Sequence, residues 1–396
     1  MNYKKSNQII GLVLNATPGY SETFFISKIK GLQQTGHKVI LFVNKREKHF
    51  NLCEVRKSFD IHKGNPTLFL INFIYAFFRL SCHPKNSLRF IKLEKKDNVS
   101  FFEIIKKMYL NTHLLTQNLD WIHFGFATLA LGKEHVAKSI NAKMGVSFRG
   151  YDINVYPLKH KDCYKLLWKN VDKVHSISQF LIDKAYTLGM DKDIVIEIIT
   201  PAVNINDLPK LEVNSSSKIN IVSISRLNWI KGLDIGIHAM KLLKDKNIDF
   251  EYHIIGDGNQ IEIERYKFQS LQLELGNQLI FHGKLSHSQS LEVLKTATIY
   301  IQPSLNEGFC NAVLEAQAMG LLCVVSDGGA LPENVINEET GWIFPRGNYK
   351  KLAELILKVN TLPKEVKEGF SLRAKKRIMD KFTIEQQIEQ FVKFYN

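Results

Sequence analysis

Two glutamates eight positions apart, Glu307 and Glu315, stand in the part of this sequence that is richest in residues able to do chemistry. That segment, residues 303–320, follows an apolar strand pattern and runs into a helix pattern that ends at Gly320. A helix capped by Asn311 would point its free N–H groups at a ligand and favour a phosphate. Glu315 can accept hydrogen bonds from two vicinal hydroxyls, as on a ribose, and Glu307 from a polyol ring. An ordinary strand–turn–helix with two solvated acids is the alternative.

Two cations, Arg226 and Lys231, follow the strand pattern of residues 219–224. At the carboxyl end of a strand they could bind a diphosphate and neutralise its charge as it leaves. Two unrelated surface charges would produce the same pattern, so spacing alone leaves both interpretations open.

Two glycine turns also follow strand patterns. The first, Gly256-Asp257-Gly258, lacks the third glycine of a dinucleotide-binding fingerprint and is weak evidence by itself. The second, residues 327–333, contains Gly329 and Glu333, and its backbone could approach a base or a phosphate closely.

Short apolar runs alternate with amphipathic segments along the whole chain, which predicts an α/β fold of doubly wound parallel sheets. Helices are expected at residues 21–34 and 129–140, among others. The predicted strands are residues 9–14, 38–43, 121–124, 143–148, 173–177, 219–224, 250–255, 278–282, 298–302 and 322–326.

The length of 396 residues predicts two domains. Both helix and strand patterns lapse in a stretch rich in proline and serine between residues 200 and 218. We therefore expect one domain over residues 1–205 and a second over residues 206–380, with a C-terminal helix over residues 381–396 that could pack back on the first domain. Two such lobes would enclose a cleft beyond the carboxyl ends of their strands.

The net charge of +14 lies wholly in the first part of the chain. Residues 1–210 hold 31 Lys and Arg against 17 Asp and Glu, whereas residues 211–396 hold 22 of each sign. No zinc-finger, basic-zipper or ribonucleoprotein motif accompanies this charge, so nucleic acid is a poor candidate for the partner. Anionic lipid is the better prediction, with a merely soluble basic surface as the alternative.

Two apolar runs are too short to span a membrane. Residues 9–14 resemble a short signal peptide, but the turn and helix pattern that follow favour a buried strand. Residues 68–80 fit either a core helix or a helix that lies in a membrane interface.

The sequence favours neither a metal site nor a disulfide framework. The five cysteines are odd in number and form no C-x-x-C pair, which indicates a cytosolic protein. Asp191 and Asp193 form a D-x-D pair of the kind that holds a divalent ion, but no apolar strand precedes it. We expect no metal and no cofactor.

Taken together, these residues resemble the retaining glycosyltransferases of family 4, which have the GT-B architecture of two Rossmann-like domains facing a cleft. The resemblance covers nearly the whole chain and is strongest over residues 219–344. Glu307 and Glu315 match the family's pair of glutamates (E-x7-E), and Arg226 and Lys231 match its R…KG diphosphate site. Gly256–Gly258 match its GDG turn, Glu333 its GG-x-x-E turn and Gly341 its later T-G segment.

The first half is similar to a bacterial exopolysaccharide branch of this family, the colanic-acid type, through residues 18–24 and 36–39. Arg149 stands where the family often has a histidine, so this position departs from the family's pattern. His123 lies in a stretch similar to the family's HFG segment and is either a catalytic residue or a buried structural histidine.

The resemblance implies a metal-independent hexosyltransferase that moves a sugar from a nucleotide diphosphate sugar to a glycan or lipid-linked oligosaccharide, with retention. It implies a cytoplasmic enzyme of polysaccharide synthesis at the inner membrane. A non-catalytic sugar-nucleotide-binding subunit and a nucleotide-sugar epimerase remain alternatives. The implied catalytic residues are Glu307, Arg226, Lys231, His123 and Arg149, and the implied donor-binding residues are Glu315, Gly308, Phe309, Asn311, Gly256, Gly258, Gly329 and Glu333.

Overall fold

A computed structural model of the chain describes residues 7–19, 23–46, 50–60, 65–212 and 218–396. The predicted linker residues 214–217 and residues 20–22, which belong to the exopolysaccharide-type motif, lie outside these ranges. The chain divides into two compact units, Met1–Ile199 with Ile388–Asn396, and Thr200–Gln387.

The first unit contains a seven-stranded parallel sheet with the strand order β3-β2-β1-β4-β5-β6-β7. All of its neighbouring strands pair in parallel. The strands are β1 (Ile9–Ala16), β2 (Lys38–Lys45), β3 (Glu54–Lys57), β4 (Trp121–Phe124), β5 (Lys143–Phe148), β6 (Lys173–Ser176) and β7 (Val195–Ile198).

Helices connect these strands, and three of them, α2 to α4, lie between β3 and β4. The helices are α1 (Thr23–Gln34), α2 (Pro66–Ser81), α3 (Pro84–Lys96), α4 (Phe101–Leu115), α5 (Val136–Ser139), α6 (Tyr156–Lys159), α7 (Lys165–Trp168) and α8 (Gln179–Thr187). The apolar faces of β1, β2 and α1 form one core with the end of the last helix of the chain.

The second unit contains a six-stranded parallel sheet with the order β10-β9-β8-β11-β12-β13. Its strands are β8 (Ile219–Ile224), β9 (Phe250–Ile255), β10 (Leu279–Gly283), β11 (Ile299–Gln302), β12 (Leu322–Ser326) and β13 (Trp342–Phe344). Its helices are α9 (Leu233–Asp245), α10 (Gln260–Gln272), α11 (His287–Lys295), α12 (Asn311–Met319), α13 (Leu331–Asn334), α14 (Tyr349–Thr361), α15 (Lys364–Lys381) and the start of α16 (Ile384–Tyr395).

The two doubly wound parallel sheets confirm the predicted fold class. Residues 9–14 form the buried centre of β1 and pair with β2 and β4, as the strand interpretation required. The helix expected over residues 129–140 is wrong, because that segment holds a 3-10 turn at Ala127–Ala130 and the four-residue α5. Three short strands, β3, β7 and β13, lacked enough apolar residues or length to be predicted.

The predicted domain limits differ from the observed ones. The division falls at Ile199, ahead of the predicted limit after residue 205, because the segment after Thr200 pairs with the second unit: Val203 forms a parallel bridge with Thr383. The last helix, α16, is split, and Ile388–Asn396 belong to the first unit. There Trp121 Nε1 donates to the carbonyl oxygen of Tyr395 at 3.2 Å.

The apolar run of residues 68–80 forms α2. Asn65 caps it by accepting a hydrogen bond from the Leu68 N–H, and Pro66 supplies the first turn. No helix in the described ranges is both long and apolar enough to cross a membrane.

Candidate active site in the second unit

The residues of the second unit that were predicted to bind a ligand lie on loops at the point where its strand order reverses. The central strand β8 has β9 on one side and β11 on the other. In open parallel sheets, ligands bind beyond the carboxyl ends of the strands at such a reversal. The loop that leaves β8 carries Arg226 and Lys231, and the loop that leaves β11 carries Glu307.

Lys231 and Glu307 form a largely buried ion pair. Lys231 Nζ lies 2.7 Å from Glu307 Oε1 and 2.8 Å from Oε2. Glu307 Oε1 also accepts from Ser304 Oγ at 2.8 Å and from Gln302 Nε2 at 3.3 Å. The side chains of Lys231 and Glu307 are only 16% and 8% exposed, so these donors hold the carboxylate in one orientation before any ligand arrives.

A close backbone approach brings these two loops together. The N–H of Leu305 donates to the carbonyl oxygen of Ile230 at 2.8 Å. Gly232 has a φ of +60°, and a Cβ there would lie 2.1 Å from the carbonyl oxygen of Pro303. Only glycine fits this position, which places Lys231 against Glu307.

The glycine turn after β12 supports Glu307 from its backbone side. Gly329 forms a parallel bridge with Glu307, and the N–H of Ala330 donates to the Glu307 carbonyl oxygen at 2.9 Å. The structure therefore places Gly329 beside Glu307. Glu333 is half-buried in the short helix α13 that follows this turn.

The start of α12 differs from the prediction by one residue. Cys310 is the N-cap residue, and Asn311 is the exposed first residue of the helix. The buried side chain of Asn334 holds the backbone of this N-cap residue in place. Asn334 Oδ1 accepts from the Cys310 N–H at 3.1 Å, and Nδ2 donates to the Cys310 carbonyl oxygen at 3.0 Å.

Gly308 and Phe309, the two residues before the N-cap, differ in how exposed they are to a ligand. Gly308 is half-buried, whereas Phe309 is buried and its ring lies 5.9 Å from that of Phe382. The Phe309 side chain therefore packs inside the unit, and only its backbone is left for the predicted donor contact.

Glu315 lies one turn into α12 and pairs with a histidine that the sequence did not identify. His287 Nε2 donates to Glu315 Oε1 at 3.0 Å. The hydrogen bond and the negative charge of Glu315 raise the pKa of His287 above its ordinary value of 6.5. One carboxylate oxygen of Glu315 is thus already engaged, and the carboxylate faces the start of α11.

Arg226 lies on a loop held against the GDG turn. The N–H of Leu227 donates to the carbonyl oxygen of Asp257 at 2.8 Å. Gly256 has a φ of +141°, and a Cβ there would lie 1.8 Å from the Ser225 carbonyl oxygen, so the turn requires glycine. Gly258 forms a parallel bridge with Leu227. Arg226 itself is exposed, and its guanidinium has no ion-pair partner within the described ranges.

In the first unit, His123 is a fully buried member of a polar network. Its Nε2 lies 2.7 Å from Ser147 Oγ and 3.3 Å from Lys28 Nζ, and its Nδ1 lies 2.8 Å from Tyr395 Oη. Burial, together with the positive charge of Lys28, holds the pKa of His123 well below its usual value. These contacts favour the structural interpretation of His123, and a catalytic role for it stays a prediction.

Arg149 follows β5 and stacks on aromatic rings. Its guanidinium carbon lies 3.8 Å from the ring centre of Phe24 and 4.4 Å from that of Phe25. The buried carboxylate of Asp152 accepts from the N–H groups of Arg149 and Gly150, each at 3.0 Å, and fixes the turn. The sequence identified the position of Arg149 but not this packing.

The D-x-D pair lies in an exposed turn after α8, where Asp191 Oδ1 accepts from the N–H of Asp193 at 3.1 Å. No group of three or more His, Cys, Asp or Glu side chains in the part of the chain that the structure describes is placed to hold a metal ion.

Arg377 of α15 is a further supporting residue that sequence reasoning missed. Its guanidinium donates to the carbonyl oxygen of Asn334 at 2.7 Å and to that of Glu333 at 2.6 Å. It thereby holds α13, which in turn holds the start of α12. No motif marks Arg377, because it lies in a basic helix whose other cations are mostly exposed.

Comparison with known proteins points to one family. Residues 205–377 match the family described as glycosyl transferases group 1. The chain is 28% identical over 248 residues to the amylovoran biosynthesis glycosyltransferase AmsK of Erwinia amylovora, covering 60% of each chain. It is 24% identical over 269 residues to the putative colanic acid biosynthesis glycosyltransferase WcaL of Escherichia coli, covering 66% of each. The chain thus spans less than two thirds of these relatives' length.

Solved structures share the fold across the whole chain. A glycosyltransferase from Rickettsia africae has a TM-score of 0.71 at 20% identity, and Anabaena Alr3699/HepE in complex with UDP has one of 0.73 at 15% identity. In both comparisons 98% of each chain is covered. At these identities the likeness extends to the fold alone.

Proposed function

Because residues 205–377 are a domain of the glycosyl transferases group 1 family and the chain has the two Rossmann-like sheets of the GT-B fold, we propose that this protein is a retaining glycosyltransferase of polysaccharide synthesis. The donor is a nucleotide diphosphate sugar bound by the second unit. The observation that carries the proposal is the Lys231–Glu307 pair at the reversal of strand order, with Arg226 on the adjacent loop.

The charges of the site suit the departure of a diphosphate. When the bond between the anomeric carbon and the diphosphate oxygen breaks, its electron pair goes to that oxygen. Arg226, Lys231 and the N–H groups at the start of α12 stabilise the negative charge that develops there. In this proposal these groups do the work of a metal ion, and no cofactor takes part.

The acceptor hydroxyl attacks the anomeric carbon from the face that the diphosphate leaves, and its proton passes to a diphosphate oxygen. The anomeric configuration is retained, and no covalent enzyme intermediate forms. Glu307 orients the sugar hydroxyls, and Glu315 accepts hydrogen bonds from the ribose.

We propose a glycan or a lipid-linked oligosaccharide as the acceptor, used at the cytoplasmic face of an anionic membrane. The excess of 31 basic over 17 acidic residues in positions 1–210 supports this. A relative from Campylobacter jejuni, 24% identical over 342 residues, is an N-acetylgalactosaminyltransferase whose name specifies a diphospho-undecaprenol acceptor.

Two glutamate variants test this assignment. Glu315→Ala should weaken nucleoside diphosphate binding by about 10-fold, because a carboxylate acceptor for the ribose hydroxyls is lost. Glu307→Gln should leave that affinity near the wild-type value and mostly lower turnover. Calorimetric titration and initial rates separate the two effects. If both variants kept wild-type affinity and turnover, the assignment of both residues would be wrong.

The pKa of His287 provides a matched readout for the Glu315 variant. With Glu315 replaced, the pKa of His287 should fall back toward 6.5, as followed by NMR of the imidazole. Because the folded-state pKa is raised, the stability from this pair is present below about pH 6.5 and is lost as the pH rises through the raised value. An unchanged His287 pKa would show that the pair does not form in solution.

A further inference from the structure

An apolar stripe covers the outer face of α2 in the first unit. Leu70, Ile71, Ile74, Tyr75 and Phe78 all point outward, at the spacing of one helix face. Ile71, Ile74 and Phe78 are 58%, 61% and 65% exposed. Residues 66–78 include no charged side chain. Such a contiguous exposed apolar face marks an interaction surface rather than a solvated helix.

The opposite face of α2 is firmly packed, so the stripe is not a loosely placed part of the core. The rings of Phe69 and Phe73 lie 5.5 Å and 5.8 Å from the ring of Tyr109 on α4. Ala76 and Leu80 are buried. Near the end of α2, Arg79 donates to Thr116 Oγ1 at 2.6 Å. The helix is therefore fixed with its apolar outer face directed to solvent.

The neighbouring helices add exposed aromatic rings and unpaired cations. Phe101 and Phe102 are exposed at the start of α4, against which α2 packs. The next helix along the chain, α3, has four exposed lysines with no ion-pair partner in the described part of the chain: Lys85, Lys92, Lys95 and Lys96. Exposed apolar rings with nearby lysines fit the boundary between lipid headgroups and acyl chains.

We propose that the outer face of α2 inserts into the interfacial region of an anionic lipid bilayer. With 16 residues, α2 is about 24 Å long and too short to cross a hydrocarbon core of about 30 Å, so it would lie in the membrane plane. Charge favours lipid over a second copy of the chain, because self-association through this face would bring together two domains that each carry excess positive charge. The inference rests on the proposed membrane association and specifies the surface that makes it.

Vesicle binding by the full chain tests this surface without donor or acceptor, so its failure would leave the transfer reaction untouched. Wild-type protein should sediment with phosphatidylglycerol vesicles and, more weakly, with phosphatidylcholine vesicles. Replacing Ile71, Ile74 and Phe78 together by serine should lower the partition coefficient at least 10-fold on both. In about 1 M salt, where charges are screened, the wild type should keep part of its binding and the variant none.

The second unit provides a matched control. Ile261, Phe268 and Leu271 are similarly exposed on α10, whose charges balance. Their triple replacement by serine should leave partitioning unchanged. Thermal unfolding checks the fold of each variant. If the triple α2 variant unfolds, the single substitution Ile74→Asp replaces it in the vesicle experiment.

Wild-type partitioning by the α2 variants would overturn the proposal, and so would an equal loss in the α10 variant. A wild type that binds neither kind of vesicle would also overturn it. If the wild type formed a dimer that the α2 variant dissociates, the occupant would be a second copy, which also contradicts insertion into lipid.

Discussion

Replacing Lys231 by methionine should destabilise the protein by about 3 kcal/mol and lower the transfer rate on the order of 100–1000-fold. The stability loss follows because the Glu307 carboxylate, 8% exposed, is left without its cation. The rate loss follows because a donor to the departing diphosphate is removed. Chemical denaturation and initial rates measure the two effects.

A second substitution separates the two roles of Lys231. Adding Glu307→Gln to Lys231→Met removes the unpaired buried charge, while Ser304 and Gln302 can still donate to the remaining carbonyl oxygen. Most of the lost stability should return, whereas the activity should not. Activity that recovered together with stability would reduce the pair to a structural role.

Another lysine–glutamate pair of the same unit serves as the control. Lys218 Nζ lies 2.7 Å from Glu251 Oε1, but both side chains are about one third exposed. Lys218→Met should therefore cost far less stability than Lys231→Met and leave the rate unchanged. A loss as large as that of Lys231→Met would show that burial does not distinguish the two pairs.

Arg226→Ala should lower the transfer rate by about 10–1000-fold with no change in stability. Arg226 is exposed and has no ion-pair partner in the described ranges, so its removal leaves no buried charge without a partner. Because Lys231 is already neutralised by Glu307, Arg226 supplies the uncompensated positive charge at the site. Initial rates and the unfolding midpoint are the measurements.

Lys267→Ala provides the comparison for Arg226, since Lys267 is an exposed cation in the interior of α10 in the same unit and belongs to none of the site motifs. It should match the wild type in both rate and unfolding midpoint. A wild-type rate in Arg226→Ala would remove Arg226 from the mechanism, and equal losses in both variants would point to a general effect of surface charge.

The sequence predicted the sheets well because both are built from buried parallel strands, whose apolar runs stand out. It failed where apolar content was low or the partner was remote. The strands β3 and β7 are short and half exposed, and α5 is a single turn. The division of α16 at Ile388 depends on its packing in the first unit, which no local pattern encodes.

The spacing of the motifs identified Lys231 and Glu307 as site residues, but it did not predict the ion pair between them. Their loops lie 76 residues apart in sequence and meet through the close backbone approach of Gly232 to Pro303. Supporting residues such as Asn334 were not predicted for the same reason, since its side chain binds the backbone of Cys310 from 24 positions away. For His123, the type of residue was compatible with two roles, and burial favours the structural one.

The central claim, transfer from a nucleotide diphosphate sugar assisted by protein cations, is tested most directly by acceptor-dependent release of nucleoside diphosphate in excess chelator. Purified wild-type protein would be given a panel of nucleotide sugars with and without lipid-linked oligosaccharides. We predict release with at least one donor, dependent on acceptor and largely insensitive to chelator. Release that stops in chelator and returns with a divalent ion would contradict the roles of Arg226 and Lys231, and no release with any donor would contradict the proposed activity itself.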